Sequence, residues 1–246
     1  MKTLNLSVLL CLTMVARSQK EESFYVFDAD WKPTKVKHAV YLLRIHQVND
    51  TCWQWDYYNN LGPLIKVQRF RDQQGKLLHG LSYYYDAHGN IDSTGLYRNG
   101  RKNGEFRRFK GDSLRLVTTY IYREDSLIEV IYPAKQKKDS VVKYADEKES
   151  DYPGGVRAWS GYLNKNLRYP DRAVNFEIQG DVTIMFIVDK EGNVIDPIVA
   201  HSVEYSLDEE TLRIISESGK WTPAFQNGKF VKSYKQQPIR FRLEKR

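Results

Sequence analysis

A chain of 246 residues holds one large domain or two small ones, and 41% apolar with 28% charged residues is the balance of a soluble globular protein. The formal charge of +7 falls to +5 once Lys2 and Arg17 are set aside with the leader described below. The remaining charge is scattered among acids with no basic stripe, so nucleic acid is not an expected partner.

The N-terminus has the pattern of an export signal, expected over residues 1–18. Lys2 supplies the positive region, Leu4 to Val15 an apolar run, and Ala16-Arg17-Ser18 a small-x-small cleavage site that leaves Gln19 as the first mature residue. The run is far short of the roughly 20 apolar residues of a spanning helix. An uncleaved inner-membrane anchor is the alternative. After cleavage Cys52 stands alone, which rules out an internal disulfide framework and makes it a small buried apolar side chain.

Residues 19–133 read as a β-hairpin region. Phe24-Tyr25-Val26-Phe27 and Tyr41-Leu42-Leu43-Arg44-Ile45 are short strands rich in aromatic and branched residues. Further on, Gly80 and Gly104, and likewise Tyr85 and Phe109, are 24 residues apart, with turn sequences such as Asn99-Gly100 between aromatic runs. A fixed offset with glycine and aromatics in register predicts repeated hairpins. Tyr97-Arg98-Asn99-Gly100-Arg101-Lys102-Asn103-Gly104-Glu105-Phe106 resembles the unit of bacterial MORN-like repeats; Gln68 to Tyr85 is a weaker copy and Trp53 to Tyr58 a degenerate third.

Residues 134–151 are charge-rich and poor in bulky apolar groups apart from Val141-Val142, and are expected to be a linker. A helix then follows the Pro153-Gly154-Gly155 turn, with Val156, Trp159, Tyr162 and Leu163 on one apolar face and Tyr169-Pro170 as its stop. Gly180 to Val188 alternates as a strand with Val182, Ile184, Phe186 and Val188 inward. Asp189 to Asn193 turns the chain, and Val194 to Ser202 returns as a partner strand that Pro197 assigns to an edge or a bulge. Ser206-Leu-Asp-Glu209 has the form of a capping box that opens a helix with Leu207, Thr211, Ile214 and Ile215 inward and Gly219 past its end. After Trp221 the turn Gln226-Asn227-Gly228-Lys229 leads to a last strand with Ile239, Phe241 and Leu243 inward and Arg240 and Arg242 outward. The fold class is α+β: a two-helix, three-strand antiparallel module over residues 152–246, preceded by the all-β hairpin region.

An ordered set of motifs in this last stretch resembles the C-terminal domain of TonB-family proteins in their Bacteroidetes form. It comprises Pro153-Gly154-Gly155, Leu163-x-x-x-Leu167-x-Tyr169-Pro170, Gly180-x-Val182, Phe186-x-Val188-x-x-x-Gly192-x-Val194, Leu207-Asp208-x-Glu210, Lys220-Trp221-Thr222-Pro223, Gln226-Asn227-Gly228-Lys229 and Pro238-Ile239-x-Phe241. The resemblance implies a periplasmic module for transmembrane transport that binds the inner face of outer-membrane TonB-dependent receptors, an extended receptor segment adding as a strand to the edge of the small sheet. By position, Ile239, Arg240, Phe241, Arg242 and Leu243 are the candidate docking edge, and Asn166, Leu167, Arg168 and Tyr169 the candidate clamp. Tyr169 and Trp221 also read as core aromatics, and Arg240 and Arg242 as a solvated face that guards the edge.

An energy transducer of this family also needs a spanning helix and a Pro-rich spacer; neither is seen, so docking is expected without force transduction. The alternative is an envelope scaffold that uses both modules on other partners, and a homodimer is a further candidate assembly. Membrane contact is expected only through partners. The five histidines lack ligand spacing, and no nucleophile motif or phosphate loop occurs, so no enzyme, metal or cofactor is expected.

Overall fold

The computed structural model describes residues 22–111, 114–133 and 147–243. The expected signal at 1–18 and most of the expected linker lie outside these residues. Nine strands come first: β1 (Glu22–Phe27), β2 (Tyr41–Asn49), β3 (Cys52–Asn59), β4 (Leu64–Phe70), β5 (Gly80–Tyr85), β6 (Ile91–Arg98), β7 (Arg101–Lys110), β8 (Arg115–Arg123) and β9 (Ser126–Ile131). They form one antiparallel meander in which every strand pairs with its sequence neighbours. Two-residue turns with positive φ at both positions make the tightest corners, at Asn99-Gly100 and, without any glycine, at Glu124-Asp125. Gly80 lies opposite Tyr97 and Gly104 opposite Tyr122, so the 24-residue offset in the sequence is the length of one hairpin.

The second half contains α1 (Gly155–Asn166), α2 (Asp171–Asn175), β10 (Gly180–Val188), β11 (Val194–His201), α3 (Tyr205–Ser216), β12 (Ala224–Gln226), β13 (Lys229–Val231) and β14 (Ser233–Phe241). Strands β11, β10 and β14 form a three-stranded sheet in that order, and β12–β13 is a separate hairpin turned at Asn227-Gly228. The fold is α+β as expected. The alternation in β10 is complete: Val182, Ile184, Phe186 and Val188 are all buried, together with Ile239 and Phe241 of β14 and Leu207, Ile214 and Ile215 of α3. Tyr152, Trp159, Trp221 and Phe186 complete this layer through edge-to-face and tilted ring contacts at 5.0–5.5 Å. Gly192 is required where it stands, since a Cβ there would come 2.2 Å from the Trp221 carbonyl, and its φ is +83°.

Five details differ from the sequence reading. Val156 is 79% exposed, because it sits in the first turn of α1 before the helix reaches the core; Trp159, Tyr162 and Leu163 carry the buried face. Pro170 is the N-cap of α2, a helix too short to show a period, which buries Ala173. The cap of α3 is Glu204, whose carboxylate accepts from the Ser206 amide at 2.8 Å, and not Ser206. Leu243 falls beyond the end of β14 and is half-buried, and Cys52 is likewise half-buried.

The two halves share one core. Leu42, Tyr58, Leu64, Val67, Tyr83 and Ile91 from the meander pack in the same cluster as Val199, Ala200 and Leu207. Residues 147–151 lie against the second half through bridges from Lys148 to Phe225 and from Asp151 to Thr222.

Candidate protein-docking site

β14 is an end strand: it pairs with β10 along Ser233–Phe241, and among the described residues no strand pairs with its other edge. Its odd-numbered residues face the helices, ending in buried Ile239 and Phe241, while Tyr234, Gln236, Pro238 and Arg240 are exposed. An unpaired edge of this kind presents a row of free amides and carbonyls, a template for another chain. Pro238 removes one donor from the strand, which is tolerated because β14 has a free side.

The candidate clamp is only partly beside this edge. The Tyr169 ring meets Phe241 edge-to-face at 5.5 Å, and its hydroxyl donates to the Ile178 carbonyl at 2.6 Å. Burial raises the pKa of this phenol, with Arg242 acting against the rise. Asn166, Leu167 and the backbone of Arg168 are instead held against the helices, while the Arg168 side chain is exposed. The Arg168 amide donates to Glu210 at 2.7 Å, and Arg213 ties Glu210 to the Asn166 carbonyl. The Leu167 amide closes the last turn of α1 on Leu163. Arg240 and Arg242 are exposed, and both reach Asp181, at 3.4 and 2.8 Å. The Leu243 amide donates to the Gln179 side chain. The structure therefore brings Tyr169 to the end of the free β14 edge and sets Asn166, Leu167 and the Arg168 backbone against α3.

No local motif signals the seam that fixes this module on the meander. Arg44 of β2 meets Glu209 of α3 at 2.5 Å, Asp56 of β3 at 3.6 Å, and Glu22. Burial works against the Arg44 charge, but Glu209 and Asp56 hold the guanidinium above its usual range. Burial pushes the Glu209 carboxyl up to about 7 despite Arg44, and raises that of Asp56 as well. Ser202 is a second tie: its hydroxyl oxygen accepts from the Leu64 amide at 2.8 Å while its proton goes to the buried Asp208. The Tyr85 hydroxyl donates to the Val199 carbonyl at 2.8 Å, and Arg172 joins Glu204 to the Asn60 backbone. His88, beside a turn glycine, is exposed, but Gly89 itself is buried against Ser202.

Among the described residues no group of His, Cys, Asp and Glu has the arrangement of a metal site, and no helix is long and apolar enough to cross a membrane.

Residues 165–243 match the family model described as the Gram-negative bacterial TonB protein C-terminal. The matched stretch begins near the end of α1 and runs just past β14, so it contains the three-stranded sheet and its free edge. It supports the TonB C-terminal family for this module, a family of transport-related envelope domains. Neither the curated proteins nor the solved structures contain a match to the chain.

Proposed function

We propose that this chain, with a TonB-like module at its C-terminal end, is an exported periplasmic protein that docks on outer-membrane TonB-dependent receptors. An extended segment of the receptor pairs along the free edge of β14, and Tyr169 holds the end of that edge in place through Phe241. The single observation that carries this reading is the unpaired edge of β14 inside the region matched by the family model. Main-chain hydrogen bonds supply the affinity in such a mode, which is why the edge has so little side-chain signature. The meander is a rigid extension of the module, with hairpins of MORN-like type, and delivery of energy is not part of the proposal.

The experiment is in vivo photocrosslinking from Arg240, which is exposed on β14, with Val156 on α1 as the control position. Capture of an outer-membrane receptor from position 240 alone is the expected result. Capture from neither position, or from both equally, refutes strand addition. Mass spectrometry of the mature N-terminus tests export by cleavage, with a chain starting at Gln19 as the expected product.

A second reading, an envelope scaffold, is favoured by one observation on the meander. Tyr84, Tyr97, Phe106 and Tyr122 form a row of half-exposed rings across four strands, with Lys102 over two of them. A partner captured from Tyr122 and not from Arg240 decides for that reading.

A further inference from the structure

The helices cover one face of the three-stranded sheet. The opposite face looks toward β4–β7 of the meander, and the two sheets do not close on each other. Between them lies a cleft of about 670 Å³. A cleft of this size is within the range of ligand sites.

Leu81, Leu96 and Phe109 line the cleft from the meander, and Met185, Ile187 and Ile198 line it from β10 and β11. Four charged side chains border it: Arg69, Glu105, Arg107 and Asp196. Asp196 sits at φ +52° in the irregular stretch of β11 opposite Met185 and Ile187, and bulges of this kind re-aim a side chain. Arg69, Asp196 and Tyr234 line the cleft together with the buried Tyr83. Two arginines against two carboxylates leave no net charge, so the lining suits an uncharged apolar group.

Tyr234 connects this cleft with the docking edge. It belongs to β14, lies opposite Ile187, lines the cleft and is 76% exposed. A strand added to β14 lies roughly 4.8 Å beyond it, with alternate side chains on opposite faces of the enlarged sheet. One set falls on the helix side; the other falls on the side of Tyr234, Gln236, Pro238 and Arg240, which is the side of the cleft.

We propose that the cleft between β7 and the reverse face of β10–β11 receives large apolar side chains from alternate positions of an extended peptide segment docked on β14. The meander thus reads the sequence of the partner, while the edge of β14 supplies the backbone pairing. This inference rests on the strand-addition reading and adds the chemistry of its partner: apolar residues at positions i and i+2, free of charge on that face.

The test uses the mature full-length chain and a displayed library of random nonapeptides. The expected result is enrichment of Leu, Ile, Phe or Met at alternate positions in the peptides selected. The best of them then crosslinks from position 240 and binds Leu96→Lys at least about tenfold more weakly, the loss that corresponds to one buried apolar side chain. Leu96 is 41% exposed on the cleft wall and belongs to β6, not β14; Leu96→Ala gives a smaller loss in the same direction and stands in if the lysine variant does not fold. Selected peptides that crosslink from 240 but show no alternating preference, or bind both Leu96 variants unchanged, overturn the cleft proposal and leave strand addition intact. If no peptide crosslinks from 240, both fall.

Discussion

Replacing Glu209 by Gln removes the carboxylate of an ion pair and is nevertheless expected to stabilise the protein at pH 8. The Glu209 carboxyl has a folded pKa of about 7 against an ordinary value of 4.5, so between those values the folded state holds a proton that the unfolded state has released. Its contribution to stability is therefore greatest below pH 4.5 and is lost as pH rises through 7. The difference amounts to about 3 kcal/mol at full weight. Because the side chain is 29% exposed, solvent screening reduces this to about 1–2 kcal/mol. Glutamine imitates the protonated acid, and Arg44 is not orphaned, since Asp56 and Glu22 remain beside it. Guanidinium unfolding followed by tryptophan fluorescence should give equal midpoints for wild type and Glu209→Gln at about pH 4, and a higher midpoint for the variant at pH 8. A variant less stable than wild type at pH 8 would refute the reasoning, because the attraction to Arg44 would then outweigh the cost of burying the charge.

Other substitutions probe the same seam and the core. Ser202→Ala leaves the Leu64 amide and the Asp208 carboxyl without their partner, and a loss of about 2–3 kcal/mol is expected in chemical denaturation. Gly89→Ala meets a φ of +83° and a Cβ position 2.1 Å from the Ser202 carbonyl; faster limited proteolysis between the halves is expected, with destabilisation above about 1 kcal/mol. Tyr85→Phe removes one hydrogen bond to Val199 and should cost about 1 kcal/mol by the same assay. Phe186→Ala opens a cavity beneath Trp221, and a loss of about 3–5 kcal/mol with a red-shifted tryptophan emission is the expected result.

The β10 alternation, the Asn-Gly turns and the edge position forced by Pro197 could be read directly, because each depends on local backbone geometry. The seam could not. Tyr83-Tyr84-Tyr85 puts an aromatic on both faces of β5, so period two carries no information about which ring is buried. Glu is not among the residues that favour an N-cap, so the capping of α3 by Glu204, whose carboxylate also meets Arg172, left no local signal. Glu209 looked like a capping partner because its interaction with Arg44 spans 165 residues of sequence. The candidate docking edge was placed by resemblance and position; Tyr169 touches its Phe241, whereas Asn166 and the Arg168 backbone bond to side chains of α3.

The neighbour-to-neighbour order of β1 to β9 has a consequence for how the chain is made. Contacts in such a meander are local, so it can form as soon as its own residues emerge. Its inner face, with Leu42, Tyr58, Leu64 and Tyr83, is covered only when α3 and the three-stranded sheet arrive, and β14 is the last strand synthesised. Between those two moments the nascent protein carries an open apolar surface. If the chain is exported as proposed, a holding chaperone on the far side of the inner membrane must cover that surface until Phe241 has passed.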